Sequence, residues 1–449
     1  MGTHTLVCVL YFLKIFPILK KYIFGKIKNI AIIKRSETMK KVIKYVFVCL
    51  LLFCSCIFTS IYIISGNVEE SYKLSSGQEL KIDSFMPVTA VYNDVKMSQG
   101  SYNRKAGDNF EVELKLFGVI PFTTTNVEIV DDMYVAVLGQ PFGMKIYTDG
   151  VLVIESSDIT TQNGKINPAA KAGIEVGDYI KKVNGKTVTC NEDLLQFVTE
   201  SNGNAMYFEV LRDENIFTCK VIPVIDKETG IYRIGIWVRD SSAGVGTLTF
   251  YNPSNNVVCG LGHGICDSDT GTLLEIESGE LVNAEIISVI KGSSGNPGAL
   301  KGKLTFDSIA NITLNSNAGV YGITKTQIST QNLTKIALKQ EVYDGDAQIL
   351  CTVNGNTPKL YDCKIKRTGD RNSKTQNLIV TVTDKELINI TGGIVQGMSG
   401  SPILQDGKLV GALTHVLVDD SKTGYGIYAE NMLETAQSVA ESNKLKDAS

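Results

Sequence analysis

Residues 397–402 read Gly397-Met398-Ser399-Gly400-Ser401-Pro402, and this stretch decides how the C-terminal half of the chain is interpreted. Glycines on both sides of Ser399 let the backbone turn tightly and expose the hydroxyl group. A turn at Asp406-Gly407 and the strand-like run Leu409–Val416 follow, so the stretch leads into a β-hairpin. In such a turn the N–H groups of Gly397 and Ser399 can point at one spot, which predicts an oxyanion hole.

A Gly-x-Ser-Gly-x-Pro turn that feeds a hairpin resembles the nucleophile region of chymotrypsin-like serine proteases. The resemblance implies that Ser399 is a nucleophile, whose hydroxyl needs a neighbouring base to take its proton. The alternative is a plain hairpin connection, in which the glycines serve the turn alone.

Candidates for the base are few, because the chain has three histidines: His4, His263 and His415. His4 precedes an apolar run and lies on the wrong side of a membrane if that run spans one. His263 stands in Gly260-Leu261-Gly262-His263-Gly264, where glycines expose the ring at a strand end. His415 lies in the apolar strand Ala412–Leu417, where a lone histidine is typical of the core. We therefore favour His263 over His415 as the base.

The base in turn needs a carboxylate that orients it. From the residues alone the candidates are Asp267, Asp269, Asp384 and Asp406. Asp384 ends an alternating strand and precedes Ser399 by fifteen residues, yet most acids at strand ends are merely solvated. Spacing therefore leaves the choice open.

Residues 138–225 follow the order of a second small fold. Pro168 near the start and Gly173 at the end of residues 167–173 predict one helical turn, and Asn184-Gly185 predicts a tight turn between strands. Asn191 is predicted to cap a helix with Leu194, Leu195 and Val198 on one apolar face.

This series resembles a PDZ domain, which binds an extended peptide as an added strand. The resemblance places the loop for the peptide carboxylate at Gly139-Gln140-Pro141-Phe142-Gly143. The alternative is a PDZ fold kept only as a spacer.

The remaining exported residues also predict strands. Phe110–Leu116 alternates between apolar and charged residues, and residues 226–435 show turn signals about every 8–12 residues, typical of a barrel or sandwich. We predict a mainly β chain with a membrane anchor, a PDZ domain and a chymotrypsin-like β-barrel serine protease domain. The predicted bounds are 1–45 for a basic cytoplasmic segment, 46–64 for the anchor, 67–137 for a linker and β-rich segment, 138–225 for the PDZ domain, 226–435 for the peptidase domain and 436–449 for a tail.

The predicted anchor, Val46–Ile64, is nineteen residues without a charge, which is long enough to cross a bilayer. Residues 1–45 hold ten Lys or Arg and one acidic residue, and positive flanks stay in the cytoplasm. We therefore expect the N-terminus inside and the rest outside. A cleaved signal peptide is the alternative. Met39 also begins a compact leader by itself, so residues 1–38 are either a start-site artefact or hold a weaker membrane segment at Leu6–Ile18.

Composition excludes some partners. The 449 residues carry a net charge of -3, which gives no overall basic surface for nucleic acid. No CxxC pair or His/Cys cluster has the spacing of a zinc site, so we expect no metal and no cofactor. Six cysteines follow the apolar run, and disulfides and free thiols stay equally open.

Three longer stretches resemble the stage IV sporulation protein B serine peptidases: the His263 region GLGHG, Thr383–Leu387 and Thr391–Ile403, which reads TGGIVQGMSGSPI. The order of anchor, β-rich segment, PDZ domain and C-terminal protease also matches. The resemblance implies a catalytic His263 and Ser399, with Asp384 as the acid. The sequence departs from digestive serine proteases in two ways. Asp384 precedes Ser399 by only fifteen residues, and Ser401 stands where those enzymes usually have a glycine.

The family resemblance also implies a biological role. Its members are signalling proteases of endospore-forming bacteria, exported into the space between the forespore and mother-cell membranes. They cleave themselves near the N-terminus and cut a membrane-embedded regulator of an intramembrane metalloprotease, which activates sigma-factor processing. The PDZ domain, with peptide C-termini or internal segments as its ligands, is implied to control both cleavages. Self-cleavage is expected within residues 67–100, an exposed polar linker.

Two other functions remain as alternatives. One is a general quality-control protease with a PDZ domain, although that class usually has the PDZ domain after the protease. The other is a membrane-anchored PDZ adaptor without catalysis.

Overall fold

The computed structural model describes residues 37–66, 68–82, 84–92, 95–96, 105–324, 328, 332–368 and 373–447. The chain divides into two compact units, Met1–Asp132 and Met133–Ser449. The basic segment predicted upstream of residue 37 lies outside the described residues, and so does the weaker membrane segment at residues 6–18.

The first unit begins with helix α1, Glu37–Ser65. Its segment Val42–Ser65 is long and apolar enough to cross a membrane. The helix contains the predicted run Val46–Ile64, so the prediction of one apolar N-terminal helix is confirmed. Such a helix suits both an anchor and a signal sequence.

A single sheet completes the described part of the first unit. Its strands are β1 (Ser71–Ser75), β2 (Val88–Tyr92), β3 (Val95–Lys96), β4 (Asn109–Leu116) and β5 (Ile120–Val130), in the spatial order β1-β5-β4-β2-β3. Alternate residues of β4 are buried, from Phe110 to Leu116, because side chains of a strand point to opposite faces in turn. The alternation predicted from the sequence is therefore confirmed.

The second unit starts with a stretch, residues 134–335, that forms one long sheet and two separate two-stranded sheets. The strands in its first part are β6 (Tyr134–Val137), β7 (Pro141–Ser156), β8 (Ile159–Thr161), β9 (Gly164–Ile166), β10 (Tyr179–Val183), β11 (Lys186–Thr187), β12 (Met206–Arg212) and β13 (Asn215–Val221), with helices α2 (Pro168–Lys171) and α3 (Asn191–Glu200). The later strands are β14 (Val224–Ile225), β15 (Tyr232–Arg233), β16 (Ile236–Asn252), β17 (Val257–Gly260), β18 (Ile276–Ile290), β19 (Ala299–Ser316), β20 (Gly319–Thr324) and β21 (Thr334–Lys335).

Six of these strands close into a ring. Their order is β7-β18-β19-β20-β17-β16, and β16 pairs again with β7. Every pair in the ring is antiparallel. Closure of an antiparallel sheet in this way removes its open edges. The ring is the first barrel of the protein.

The PDZ elements extend from the same long strands. β10, β12 and β13 continue the sheet beyond the second half of β7, and Asn167 caps α2 by accepting a hydrogen bond from the Ala170 N–H at 3.0 Å. The turn at Asn184-Gly185 has two positive φ angles, as predicted. Because β7 runs through both the ring and this sheet, the two domains share strands, and the bounds 138–225 and 226–435 stay predictions.

Helix α3 departs from its prediction in two details. Its cap is Cys190 rather than Asn191, because the Asp193 carboxylate accepts the Thr189 and Cys190 N–H groups and so fixes the chain one residue earlier. Leu194 and Val198 are buried, but Leu195 is 60% exposed. Leu195 is adjacent to Leu194 and therefore points about 100° away from it around the helix.

The C-terminal residues form a second closed barrel of six strands. Its strands are β22 (Gly345–Cys351), β23 (Lys359–Arg367), β24 (Leu378–Val382), β25 (Pro402–Gln405), β26 (Lys408–Val416) and β27 (Thr423–Tyr428), in the order β22-β23-β24-β27-β26-β25. A 3₁₀ turn at Lys339–Glu341 precedes it, helix α4 (Lys385–Thr391) follows β24, and helix α5 (Ala429–Asp447) follows β27. The predicted mainly β class with a β-barrel domain is confirmed.

Two further sequence questions are settled by this unit and its core. Helix α5 includes most of the residues assigned to a tail, and its Met432, Ala436 and Val439 are buried. All nine cysteines in the described residues are free thiols, with Cys259, Cys351 and Cys363 buried. In the described part of the chain, the free-thiol alternative therefore holds.

Candidate active site

The loop around Ser399 is fixed by the first barrel. Thr247 on β16 donates its Oγ1 hydrogen to the Gly397 carbonyl at 2.8 Å and its N–H to the Ser399 carbonyl at 2.9 Å. Thr249, two residues further on, donates its Oγ1 hydrogen to the Gly400 carbonyl at 2.7 Å. These bonds turn the carbonyl groups of the loop towards β16.

The same arrangement leaves two N–H groups without a partner. In the described residues neither the Gly397 nor the Ser399 N–H donates a hydrogen bond, whereas Met398 donates to Val395 and Gly400 to Leu413. Gly397 has a φ of 95°, outside the usual range of other residues. Free N–H groups on the residues before and after Met398 are available to donate hydrogen bonds to an oxyanion.

Close approach makes a glycine necessary at position 400. An added Cβ would lie 1.9 Å from the Thr247 carbonyl oxygen and 2.4 Å from the Leu261 nitrogen. The backbone of Ser399-Gly400 thus lies directly against the start of the segment that carries His263.

His263 is half-buried in the loop that follows β17. Its Nδ1 lies 2.8 Å from the Gly264 carbonyl oxygen. A carbonyl only accepts hydrogen bonds, so Nδ1 carries the hydrogen, and the neutral ring has its lone pair on Nε2. This is the tautomer that a base needs to take a proton from a serine hydroxyl.

The ring of His415 lies against that of His263. The ring centroids are 4.4 Å apart, with 35° between the planes. The Ser399 hydroxyl donates to the carbonyl of Thr414, the residue before His415, at 2.6 Å. Three segments therefore meet here: the Ser399 loop, the His263 loop and the end of β26.

The prediction that His415 is a core residue is wrong, because its side chain is exposed. The pairing of β26 with β27 shifts register between Leu413 and Val416, and such an irregularity re-aims side chains. The core prediction rested on the apolar residues around His415, and the run of buried residues in β26 ends at Thr414.

Burial governs the electrostatics of the pair. It lowers the pKa of His263 to about 4, with a further decrease from the neighbouring His415 and an opposing increase from the Gly264 carbonyl. Although His415 is exposed, the atoms packed against its ring remove part of its water and lower its pKa as well. Both rings are neutral at pH 7.

A low His263 pKa predicts activity in acid. If His263 is the base, only its neutral form takes the Ser399 proton, so the acid limb of the reaction rate should fall near pH 4 instead of 6.5. The rate of covalent labelling by a fluorophosphonate, followed from pH 3.5 to 8, measures this limb. A midpoint near 6.5 would contradict the burial of His263.

Asp384 is not brought to His263. Its carboxylate caps helix α4, accepting the Glu386 and Leu387 N–H groups at 2.8 and 3.0 Å. These bonds, the Leu387 bond first, lower the pKa of Asp384. In the described part of the chain no carboxylate bonds to either imidazole, and the catalytic part of Asp384 stays a prediction.

The two roles of Asp384 are separable by substitution. Loss of the cap in Asp384→Ala should lower the free energy of unfolding by about 1 kcal/mol, whereas Asp384→Asn keeps an acceptor and should change it little. Denaturant unfolding measures both. If Asp384 is also the acid, the Asn variant should in addition lose a factor on the order of 10⁴ in rate at unchanged stability.

The other acid candidates are also engaged or remote. Asp267 is buried and forms an ion pair with Arg239, and Asp269 binds the same guanidinium at 2.6 Å. Asp406 accepts the Tyr343 hydroxyl at 2.7 Å in the β25–β26 turn.

The predicted peptide loop Gly139–Gly143 lies in the first barrel. Phe142, for example, pairs with Gly246 on β16 and with Asn283 on β18, so the strand has neighbours on both sides. Thr352 donates its Oγ1 hydrogen to the Gly139 carbonyl at 3.1 Å, and Phe142 is fully buried. No edge is open for an added peptide strand in this segment, so the assignment of the carboxylate loop is wrong.

Three contributions to the site were missed from the sequence: the threonines of β16, the Gly264 carbonyl and His415. The Thr247–Ser399 contact joins residues that are 152 positions apart, and no local sequence pattern predicts a contact between such distant residues. The alternation Thr247-Leu248-Thr249 was the available signal, since it places two hydroxyls on one face of a strand.

Comparison with known families assigns the C-terminal part of the chain. Residues 230–433 match the family described as SpoIVB peptidase S55. This span contains His263, Asp384 and Ser399. The peptidase domain belongs to the SpoIVB family, as the resemblance implied, and is a serine peptidase domain.

Curated relatives match over short stretches. A putative zinc metalloprotease of Bartonella henselae is 34% identical over 83 residues, 18% of this chain and 22% of that protein. A putative zinc metalloprotease of Clostridium perfringens is 31% identical over 70 residues, 16% of this chain and 21% of that protein. The chain thus spans about a fifth of the length of these relatives.

Solved structures match parts of the chain at low identity. The PDZ domain of an SdrC-like protein from Listeria monocytogenes is 22% identical, with 20% of this chain and 87% of that chain covered and a TM-score of 0.17. The active form of a protease from M. tuberculosis is 14% identical, covering 43% and 72%, with a TM-score of 0.23. A thermostable serine protease from an extremophilic microorganism is 12% identical, covering 44% and 92%, with a TM-score of 0.27.

Proposed function

We propose that this member of the SpoIVB peptidase family is an active serine endopeptidase with Ser399 as nucleophile and His263 as base. The observation that carries the proposal is the pair of N–H groups, on Gly397 and Ser399, that have no partner in the described residues and belong to a half-buried loop against the His263 segment. In a plain hairpin connection we would expect both of these donors to be paired.

The first half of the reaction forms an acyl-enzyme. Ser399 Oγ turns from the Thr414 carbonyl and attacks the carbonyl carbon of the substrate while His263 Nε2 takes its proton. The carbonyl electron pair moves onto oxygen, which accepts hydrogen bonds from the Gly397 and Ser399 N–H groups. When the tetrahedral intermediate collapses, the C–N bond breaks, and the proton on Nε2 goes to the leaving amine.

The second half hydrolyses the ester. A water molecule gives a proton to His263 Nε2 and attacks the acyl carbon, and the same two N–H groups stabilise the new oxyanion. Collapse of this intermediate breaks the C–O bond to Ser399, which regains the proton. The products are a free carboxyl group, a free amine and the original enzyme.

The substrate and place of action follow the family. The proposed substrates are the chain itself, cut within residues 67–100, and a membrane-embedded regulator of an intramembrane metalloprotease. We propose that α1 anchors the chain with its C-terminal part in the space between the forespore and mother-cell membranes. The apolar segment Val42–Ser65, followed directly by the polar residues before β1, supports this arrangement.

The PDZ domain is proposed to bind peptide C-termini or internal segments. Its ligand site would have to lie away from residues 139–143, since both edges of β7 are paired there. Strand β13 lies at an end of the sheet and carries the exposed Ile216. Strand addition requires such an open edge.

Self-cleavage tests the proposal most directly. The purified full-length chain in detergent should convert to a shorter form whose N-terminus, determined by mass spectrometry, lies within residues 67–100. A fluorophosphonate added beforehand should block the conversion and attach to Ser399. Attachment to another residue, or cleavage that the fluorophosphonate does not slow, would overturn the assignment. Rapid digestion of casein would instead favour a quality-control protease.

A further inference from the structure

His415 is the one titratable side chain that touches His263 in the described residues. The 4.4 Å distance between ring centroids places the rings in van der Waals contact at a tilted, offset angle, a favourable arrangement for aromatic rings. The backbone before His415 also holds the Ser399 hydroxyl through the Thr414 carbonyl. One strand end therefore contacts both members of the proposed pair.

The position of His263 needs such support, because no carboxylate among the described residues bonds to its ring. The Nδ1 hydrogen is held by the carbonyl of the adjacent residue, Gly264, which fixes the tautomer. That bond joins two adjacent residues of one glycine-flanked loop, so it does not by itself hold the ring against the rest of the fold. A second contact from outside the loop is required to fix the ring plane.

The charged and titratable groups around the pair have other partners. On the His263 loop, Asp267 pairs with Arg239, and the Cys266 thiol has a pKa raised by burial. Beyond His415, Asp420 accepts the Thr423 hydroxyl at 2.7 Å and the Lys422 N–H at 3.1 Å. The remaining acid of that turn, Asp419, and Tyr425 on β27 make no ion pair or side-chain hydrogen bond to either imidazole.

We propose that His415 is a positioning residue, whose ring packs on His263 and holds Nε2 towards Ser399 while Nδ1 remains bonded to Gly264. This inference rests on the proposed function, since it takes His263 as the base. His415 does not exchange a proton with the substrate. It performs by ring contact the orienting part that a carboxylate performs in other serine proteases.

Charge adds a second consequence of the contact. A proton on His415 would oppose a proton on His263 at this distance, and the ring of His415 also shields His263 from water. Both effects lower the His263 pKa, so removal of the ring must raise it. Two interacting imidazoles titrate as a pair, and the acid limb of the reaction belongs to the pair.

The test compares three variants with the parent chain: His415→Ala, His415→Phe and the control Val418→Ala. Val418 is 57% exposed in the turn beyond β26 and lies outside the site. The readout is the second-order rate of fluorophosphonate labelling at Ser399 between pH 3.5 and 8, with thermal unfolding measured for each protein.

His415→Ala should lower the plateau rate by about 10²-fold, the cost of a reacting group misplaced by roughly 1 Å. Its acid limb should move upward from about pH 4 towards 6.5. His415→Phe keeps the packed ring without a charge, so it should label at the parental plateau rate. Its acid limb should lie between that of the parent and that of His415→Ala. Val418→Ala should match the parent.

The result that overturns the inference is a His415→Ala protein with the parent plateau and acid limb, or a His415→Phe protein that unfolds like the parent yet labels as slowly as His415→Ala. Failure of the proposed function looks different, because then the parent chain itself does not label at Ser399.

Discussion

Replacing Ser399 by Ala is expected to abolish self-cleavage and fluorophosphonate labelling together. Removal of the nucleophile of a serine protease costs a factor on the order of 10⁶ in kcat. The Ser399 side chain makes one hydrogen bond, to the Thr414 carbonyl at 2.6 Å, so the fold should persist without it. The expected result is a single full-length band on a gel from a protein with a near-parental unfolding temperature.

Ser401 provides the matched control for this change. It is two residues away, fully buried, and donates its hydroxyl hydrogen to the Met398 carbonyl at 2.6 Å. Ser401→Ala should therefore cost only about 0.5–1.5 kcal/mol of stability, since the Met398 carbonyl loses the hydroxyl but still accepts the Ser401 N–H at 3.0 Å, while the folded protein keeps labelling at Ser399. Continued trimming of the Ser399→Ala chain at the parental rate, with no other protease present, would refute the assignment.

Gly400→Ala is expected to inactivate the site without touching a reacting atom. The new Cβ would lie 1.9 Å from the Thr247 carbonyl oxygen, which is a backbone atom of β16 and cannot rotate away, so the loop must move by about an ångström or more. Such a movement would turn the adjacent Ser399 N–H away from the proposed position of the oxyanion. Loss of one oxyanion donor alone costs about 10²–10³ in rate. The labelling rate at Ser399 should fall by at least that factor.

Gly407 separates the effect of crowding from that of backbone conformation. Both glycines have positive φ, 93° for Gly400 and 72° for Gly407, but an added Cβ at Gly407 meets no atom within 4 Å. Gly407→Ala should therefore cost only about 1–2 kcal/mol of conformational strain, with the labelling rate unchanged in the folded protein. Equal rates for the Gly400→Ala and parent chains would show that the β16 contact does not position the loop.

The parts of the site that could be predicted from the sequence are those determined by neighbours along the chain. Glycines around Ser399 and His263 predict loops between strands, and the structure places both residues in such loops, where both are half-buried. The alternation of Phe110–Leu116 likewise specifies a strand and its buried face. Each of these patterns lies within about ten residues, where periodicity and turn chemistry act.

The rest depends on contacts between distant residues. His415 is exposed because β26 shifts register against β27, and the shift follows from the pairing rather than from the residues around His415. Gly139–Gly143 resembles a PDZ loop locally, but β16 and β18 pair with both sides of it. Asp384 is a helix cap as much as it is an acid after a strand, and its sequence neighbourhood fits both roles equally.

The shared strand β7 gives the protease an unusual dependence on chain order. The first barrel closes only because residues before the PDZ elements pair with residues after them, as in Phe142 with Gly246. A fragment that begins at residue 226 would therefore lack β7, one of the six strands of the first barrel. A cut within residues 67–100 leaves all six strands in place. Cleavage of the chain between Ser156 and Ile236 would yield two pieces that remain joined by the hydrogen bonds between β7 and β16. The proposed cleavage upstream would therefore leave the strands of both barrels intact, whereas the PDZ elements and the first barrel cannot be separated without dividing β7.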